Sequence, residues 1–140
     1  MRCADILNIL EERCPKAYAL DWDNCGLQTG RYDKEVNTIY IALDATDEVI
    51  AAAAAQHAEL LITHHPLLFN GIKQIHDQDF IGRRLLTLIQ ADMCCYAMHT
   101  NYDVACMGEL SARLLHLNNA RVLEVTSEDE KGIGQYGSLD

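Results

Sequence analysis

Short apolar runs alternate along the chain with stretches in which apolar residues recur every three or four positions. The runs predict strands, and the spaced pattern predicts helices. The predicted strands are 36–43, 60–63, 93–98 and 121–126. The predicted helices are 3–14, 46–58, 81–89 and 110–117. Because strands that alternate with helices are typical of α/β domains, we expect a three-layer sandwich with a largely parallel central sheet, formed by residues 1–140 as one domain.

Composition and charge narrow the classes of partner. The chain has 140 residues, of which 49% are hydrophobic, enough for a core of ordinary size. Its formal net charge is −10, which opposes broad attraction to nucleic acid or to anionic lipid. An anionic substrate would therefore need a local positive centre, and a bound metal ion could supply it.

The cysteines and the N-terminal segment indicate in which cellular compartment the protein is expected. None of the six cysteines lies in a CxxC pair. Charged residues interrupt the first 15 positions, so this segment cannot form the apolar core of a signal peptide. No apolar run approaches the ~20 residues of a membrane span. We expect a cytoplasmic protein whose cysteines are reduced and act mainly as small buried hydrophobic residues.

Three predicted strands end in residues that can carry chemistry. Asp44 follows the first strand, His64 and His65 follow the second, and the sequence HTNYD at 99–103 follows the third. In a parallel sheet these strand ends share one edge, where ligands of α/β proteins bind. The topology therefore predicts a site that combines residues distant in sequence.

The adjacent histidines favour a metal centre. Imidazole and carboxylate without thiolate suit zinc, iron, manganese or nickel. Pro66 favours an extended conformation at His65, and neighbouring side chains of an extended chain point to opposite sides. We therefore expect His64 and His65 to bind one ion each of a pair of divalent metal ions, with Asp103 bridging them, an arrangement common in hydrolases.

Other readings of the same residues stay open. A pair of adjacent histidines can also be a surface or structural feature, and the HxxxD pattern of His99 and Asp103 is weak by itself. Asp44 is expected to cap the following helix rather than to join the site. The three remaining histidines are expected to face solvent or pack rather than to bind metal; they are His57, His76 and His116.

Three motifs closely resemble the NGG-interacting-factor-three-like family, also known as GTP cyclohydrolase I type 2 homologues or dinuclear metal-centre hexameric proteins. They are DWDNCGLQTG at 21–30, ITHHPLLFNGIKQI at 62–75 and MHTNYDVA at 98–105, and they occur in the order and spacing of the family. GIGQYGSL at 132–139 looks like a later glycine-containing strand of the family, so the resemblance spans essentially the whole chain.

The resemblance implies roles for individual residues. His64, His65 and Asp103 match metal ligands of the family, and His99 matches a histidine that lines the same site. The segment 21–24 matches a signature with a structural or pocket-forming role. The resemblance also implies a cytoplasmic protein that assembles as a toroidal homohexamer.

The resemblance is incomplete in one respect. The family has a further histidine and a glutamate ligand near its C-terminus, and residues 131–140 contain neither. We therefore expect the chain to correspond to the N-terminal part of a longer family member, with weakened or absent metal binding by itself.

Two functions compete on these grounds. The first is a metal-dependent hydrolase of a nucleotide or phosphoester, in which His99 shuttles a proton while Thr100 and Asn101 orient the substrate. The GTP cyclohydrolase label of the family implies opening of the purine imidazole ring, but the chain has no P-loop that would select a nucleotide. The second is a non-catalytic metal-binding or metal-handling assembly protein.

Overall fold

The computed structural model describes residues 1–140 and contains six strands and five α-helices. The strands are β1 (Gly26–Thr29), β2 (Ile39–Ala42), β3 (Leu60–Thr63), β4 (Cys94–Ala97), β5 (Asn118–Val125) and β6 (Gly132–Ser138). The α-helices are α1 (Cys3–Arg13), α2 (Asp47–Ala55), α3 (Phe80–Gln90), α4 (Thr100–Tyr102) and α5 (Gly108–Leu114). A 3₁₀-helix covers Lys16–Tyr18, and a π-helix covers Asp103–Met107.

The central sheet has the strand order β1-β4-β3-β2. Strands β2, β3 and β4 are parallel, whereas β1 pairs with β4 in the antiparallel direction. Every residue of β3 and β4 is buried, as expected for central strands that helices cover on both faces. The prediction of an α/β fold with a largely parallel central sheet is confirmed.

The two faces of this sheet carry different helices. On one face, Ile50 of α2 and Leu88 of α3 belong to a buried cluster with Leu61 of β3. On the other face, the thiol of Cys3 in α1 contacts the thiol of Cys94 in β4, and burial is the main reason that the pKa of Cys3 rises to about 12. Helices therefore flank the sheet on both sides, which gives the three layers that the sequence predicts.

The chain divides into two compact units. The first comprises residues 1–9 and 24–99, and the second comprises residues 10–23 and 100–140. The second unit holds a two-stranded antiparallel sheet of β5 and β6, so the strand predicted at 121–126 exists but is not part of the central sheet. Strand β6 contacts the π-helix and α5. The single-domain organisation expected from the length stays a prediction.

One local expectation is wrong, and one helix is packed by a small side chain. Helix α2 is capped by Thr46, whose hydroxyl oxygen accepts a hydrogen bond from the amide of Val49 at 3.2 Å, and not by Asp44. In α5, Leu110 and Leu114 are 38% and 71% exposed, and the buried side chain is Ala112. The leucine spacing therefore predicts the helix correctly, and the side chain that it buries is that of the intervening Ala112.

No helix in the structure has both the length and the apolar character required to cross a bilayer.

Candidate metal centre

Three imidazole rings meet at the carboxyl ends of two neighbouring parallel strands. His64 and His65 follow β3, His99 lies two residues after β4, and the last residues of these strands, Thr63 and Ala97, are paired. The ring centroid of His64 lies 4.9 Å from that of His65 and 5.2 Å from that of His99. The ring centroids of His65 and His99 are 5.6 Å apart. One ring nitrogen of each histidine lies within 4.8 Å of the other two.

The backbone bends at the histidine pair instead of continuing the strand. The amides of His64 and His65 both donate to the carbonyl oxygen of Leu43, at 3.2 Å and 3.1 Å. The hydroxyl of Thr63 donates to the carbonyl of His65 at 2.9 Å and supports the bend. The backbone at the pair is therefore bent and not extended as expected, and the two ring centroids lie 4.9 Å apart. The assignment of one metal ion to each histidine stays a prediction.

A hydrogen bond fixes the tautomer of His64. Its Nδ1 lies 2.9 Å from the carbonyl oxygen of Met98. A carbonyl oxygen can only accept, so Nδ1 carries the hydrogen and, in the neutral ring, Nε2 carries the lone pair. Half-buried His64 is thus oriented by the chain just after β4, and Nε2 is the ring nitrogen that could bind a metal ion.

His65 is oriented in the same way by a carboxylate. Its Nδ1 donates to Oδ1 of Asp44 at 2.7 Å, and Asp44 lies two residues after β2. An outer carboxylate of this kind fixes the tautomer and strengthens the imidazole as a metal ligand. Asp44 therefore has a role at this site and is not the helix cap that we expected. Its position just after a parallel strand had already predicted that it lies at this edge of the sheet.

Two amide side chains hold the loop that follows the histidines. The side-chain oxygen of Gln28 accepts from the amide of Leu68 at 3.0 Å, and the side-chain nitrogen of Asn24 donates to the carbonyl of Leu68. Gln28 also donates to the carbonyl of Asn24 at 2.7 Å. Asn24, the last residue of the segment 21–24, thus supports the histidine loop, which agrees with a structural role. The supporting role of Gln28 could not be identified from sequence spacing.

The remaining predicted site residues belong to the second unit, where Asp23 holds the start of α4. The carboxylate of Asp23 accepts from both the amide and the hydroxyl of Thr100, and the Thr100 hydroxyl oxygen accepts from the amide of Leu20 at 3.0 Å. Asp23 is therefore an N-terminal cap of the helical segment that begins at Thr100.

Asn101 and Asp103 lie on this same helical segment. The side chain of Asn101 is fully buried and donates to the carbonyl of Cys14 at 2.9 Å. Half-buried Asp103 is the first residue of the π-helix, a rare geometry that often marks functional sites. Asn101 and Thr100 thus have partners within the chain, and their roles in substrate binding stay predictions.

The donor set fits a divalent transition metal. Three imidazoles meet, two of them with Nδ1 bound to an oxygen acceptor, and no thiolate joins them. Neutral imidazole is a ligand that zinc, iron and nickel accept readily. The other three histidines, His57, His76 and His116, are exposed and lie outside the cluster.

Comparisons with known proteins agree on one family. The profile of Duf34/NIF3 (NGG1p interacting factor 3) matches residues 1–140. A curated relative from Clostridium perfringens, named GTP cyclohydrolase 1 type 2 homolog, is 37% identical over 99% of this chain and 54% of its own length. The protein of the same name from Bacillus subtilis is 36% identical over 89% of this chain and 34% of its own length. The chain thus spans about half or less of the relatives it matches.

Solved structures show the same relationship. A Bacillus cereus protein described as related to NIF3 superimposes with a TM-score of 0.86 at 39% identity, covering 91% of this chain and 36% of that protein. Reduced HcgD from Methanocaldococcus jannaschii has a TM-score of 0.83 at 35% identity, covering 89% of this chain and 50% of HcgD. On the match to its whole length, the chain belongs to the Duf34/NIF3 (NGG1p interacting factor 3) family.

Proposed function

We propose that this chain provides the metal-binding part of a hydrolase that acts on a nucleotide or another phosphoester. One observation carries the proposal: His64, His65 and His99 converge, and the first two have their Nδ1 atoms bound to oxygen acceptors. Those hydrogen bonds leave Nε2 as the metal-binding nitrogen of each ring before any ion arrives. Such an arrangement lowers the entropy cost of assembling the ligands.

On the resemblance to the family, His64, His65 and the carboxylate of Asp103 would hold two divalent metal ions. When bound, the ions supply Lewis acidity for attack on the substrate, and their charge offers the local positive centre that a protein of net charge −10 otherwise lacks. The bend at the histidine pair is compatible with ligands to one ion or to two, so the stoichiometry rests on the resemblance to dinuclear members of the family.

His99 is proposed as the group that carries a proton. Its ring stands nearly perpendicular to those of His64 and His65, with interplanar angles of 74° and 77°. A half-buried imidazole beside the reacting centre can accept a proton from a nucleophile and return it to a leaving group.

The substrate class and the assembly are supported by resemblance. The curated relatives are named GTP cyclohydrolase 1 type 2 homologs, which favours a nucleotide, whereas a two-metal centre suits any phosphoester. Thr100 and Asn101 are proposed to orient the substrate, and both are buried and also bond within the chain. The resemblance also supports a cytoplasmic homohexamer.

Replacing His99 with glutamine tests the proposed reaction. We expect metal content to stay at the level of the unaltered protein, while hydrolysis of GTP or of an aryl phosphate falls by about a hundredfold or more, the usual contribution of general acid–base catalysis. Metal content is measured by elemental analysis and hydrolysis by product chromatography. His116→Asn is the matched control, because His116 is exposed, lies outside the cluster and has a positive φ of 55° that asparagine tolerates.

Two other outcomes would contradict the proposal. Loss of metal in His99→Gln would make His99 a ligand instead of a proton carrier. Metal bound by the complete protein, without hydrolysis of either substrate, would contradict the hydrolase and support a metal-handling assembly protein.

Replacing Asp44 with alanine is expected to weaken Zn²⁺ binding by about ten- to a hundredfold, the usual effect of losing an outer hydrogen-bond acceptor. The physical reason is that His65 would lose the carboxylate that fixes its tautomer and orientation. Isothermal titration with Zn²⁺ measures the change. Asp33→Ala is the control, since the Asp33 side chain is 74% exposed and pairs with Arg31 instead. Equal affinities for the two variants would refute the role of Asp44.

A further inference from the structure

Two cysteines distant in sequence place their sulfur atoms in contact. Cys14 directly follows α1, Cys106 lies in the π-helix, and their Sγ atoms are 3.7 Å apart across 92 positions of sequence. Asn101 adds a second tie, because its side chain donates to the carbonyl of Cys14. The end of α1 and the helical segment after β4 are thus joined at a pair of thiols.

The two thiols differ in accessibility. Cys14 is 3% exposed, and burial is the main reason that its pKa rises to about 12, so it remains protonated at neutral pH. Cys106 is only half-buried, and the ammonium group of Lys131 is near enough to interact with it electrostatically. A small oxidant from solvent would therefore meet Cys106 first and find Cys14 beside it.

Three of the other thiols are shielded from solvent. Cys3 and Cys94 interact, but both are almost completely buried. Cys95 is also inaccessible. Cys14 and Cys106 differ from these, because their thiols are in contact and Cys106 is only half-buried.

We propose that Cys14 and Cys106 are a redox couple that closes to a reversible intrachain disulfide in the presence of a peroxide. In the first step the Cys106 sulfur takes one oxygen from the peroxide, which is reduced, and becomes a sulfenic acid. In the second step the Cys14 sulfur attacks that sulfur, the S–O bond breaks, and the hydroxyl leaves as water with the Cys14 proton. For hydrogen peroxide the balance is two thiols and one peroxide giving one disulfide and two waters.

Closure of this disulfide would regulate the proposed metal centre, a consequence that rests on the proposed function. The sulfur atoms must approach from 3.7 Å to about 2.0 Å, so the chain around them must move by a comparable amount. Cys106 and the proposed ligand Asp103 share the five-residue π-helix. Oxidation is therefore expected to displace Asp103 and lower metal affinity, while reduction by a dithiol restores it.

The test uses the whole reduced chain treated with a small excess of hydrogen peroxide, followed by alkylation and peptide mass mapping without reductant. We expect a cross-linked peptide pair containing Cys14 and Cys106, lighter by two hydrogens than the two separate peptides, and its disappearance on addition of dithiothreitol. Cys106→Ser should abolish the cross-link, and Cys25→Ser, which removes another half-buried thiol, should leave it unchanged. Oxidation of Cys106 to the sulfinic acid without a cross-link, or a cross-link between other cysteines, would overturn the proposal.

A second measurement separates the regulatory consequence from the function on which it rests. Zn²⁺ titration of the reduced and the cross-linked chain should show at least about a tenfold weaker affinity after oxidation, and Cys106→Ser should show no effect of peroxide. Equal affinities before and after cross-linking would remove the regulatory role and leave the redox couple. Absence of Zn²⁺ binding by the reduced chain would count against the proposed function alone, because the cross-link is detected without metal.

Discussion

Replacing His64 with alanine is expected to lower the affinity of the chain for Zn²⁺ by more than about a hundredfold. Loss of an outer acceptor alone costs ten- to a hundredfold, and this change removes a ligand together with the hydrogen bond from its Nδ1 to Met98. The unaltered chain should bind Zn²⁺ weakly but measurably, because the ligands predicted by family resemblance exceed those in its sequence. Isothermal titration at high protein concentration measures both affinities.

A matched control separates this loss from a general effect of removing a histidine. His57 is exposed, lies outside the cluster and has a left-handed φ of 55°, a conformation that asparagine accepts better than alanine does. His57→Asn should therefore bind Zn²⁺ as the unaltered chain does. If His64→Ala and His57→Asn bind Zn²⁺ equally well, His64 is not a metal ligand and the proposed centre is contradicted.

Local sequence pattern was sufficient to identify most elements of the fold. The helical spacing at 3–14 and the apolar runs at 60–63 and 93–98 correspond to α1, β3 and β4 because burial on one helix face or on both sheet faces leaves a direct mark in the sequence. The pairing of β5 with β6 has no comparable local pattern in the sequence. Pairing between strands depends on contacts far apart along the chain, so β5 could be predicted as a strand but not assigned to a separate sheet.

In the candidate site, too, local sequence rules were sufficient for some features, whereas others depend on contacts between distant residues. Parallel strand ends predicted that His99 would approach His64 and His65, and the ring distances agree. The bend at the pair was not predictable, because its cause is the carbonyl of Leu43 on the neighbouring chain segment. Asp44 was misassigned for a related reason: capping is a local rule, whereas its observed partner lies 21 positions away.

Replacing Gly82 with alanine is expected to lower the free energy of unfolding by about 2 kcal/mol, within the range for overpacked sites. A Cβ atom at Gly82 would lie 1.9 Å from the carbonyl oxygen of His76 and 3.0 Å from two other backbone atoms of that residue. Alanine is the better helix former by about 1 kcal/mol, so the clash must first exceed that gain. It does, because the atoms that must move are backbone atoms in the loop between the histidine pair and α3.

Gly71→Ala is the matched control, because it makes the same chemical change in the loop itself, at a position where no atom beyond the chain neighbours lies within 4 Å of the added Cβ. Its unfolding free energy should stay within about 0.5 kcal/mol of the unaltered value, the usual range for a surface substitution. Urea titration followed by circular dichroism measures all three proteins. Equal stability of the two variants would mean that His76 moves aside at little cost, and that close packing against α3 does not hold the loop in place.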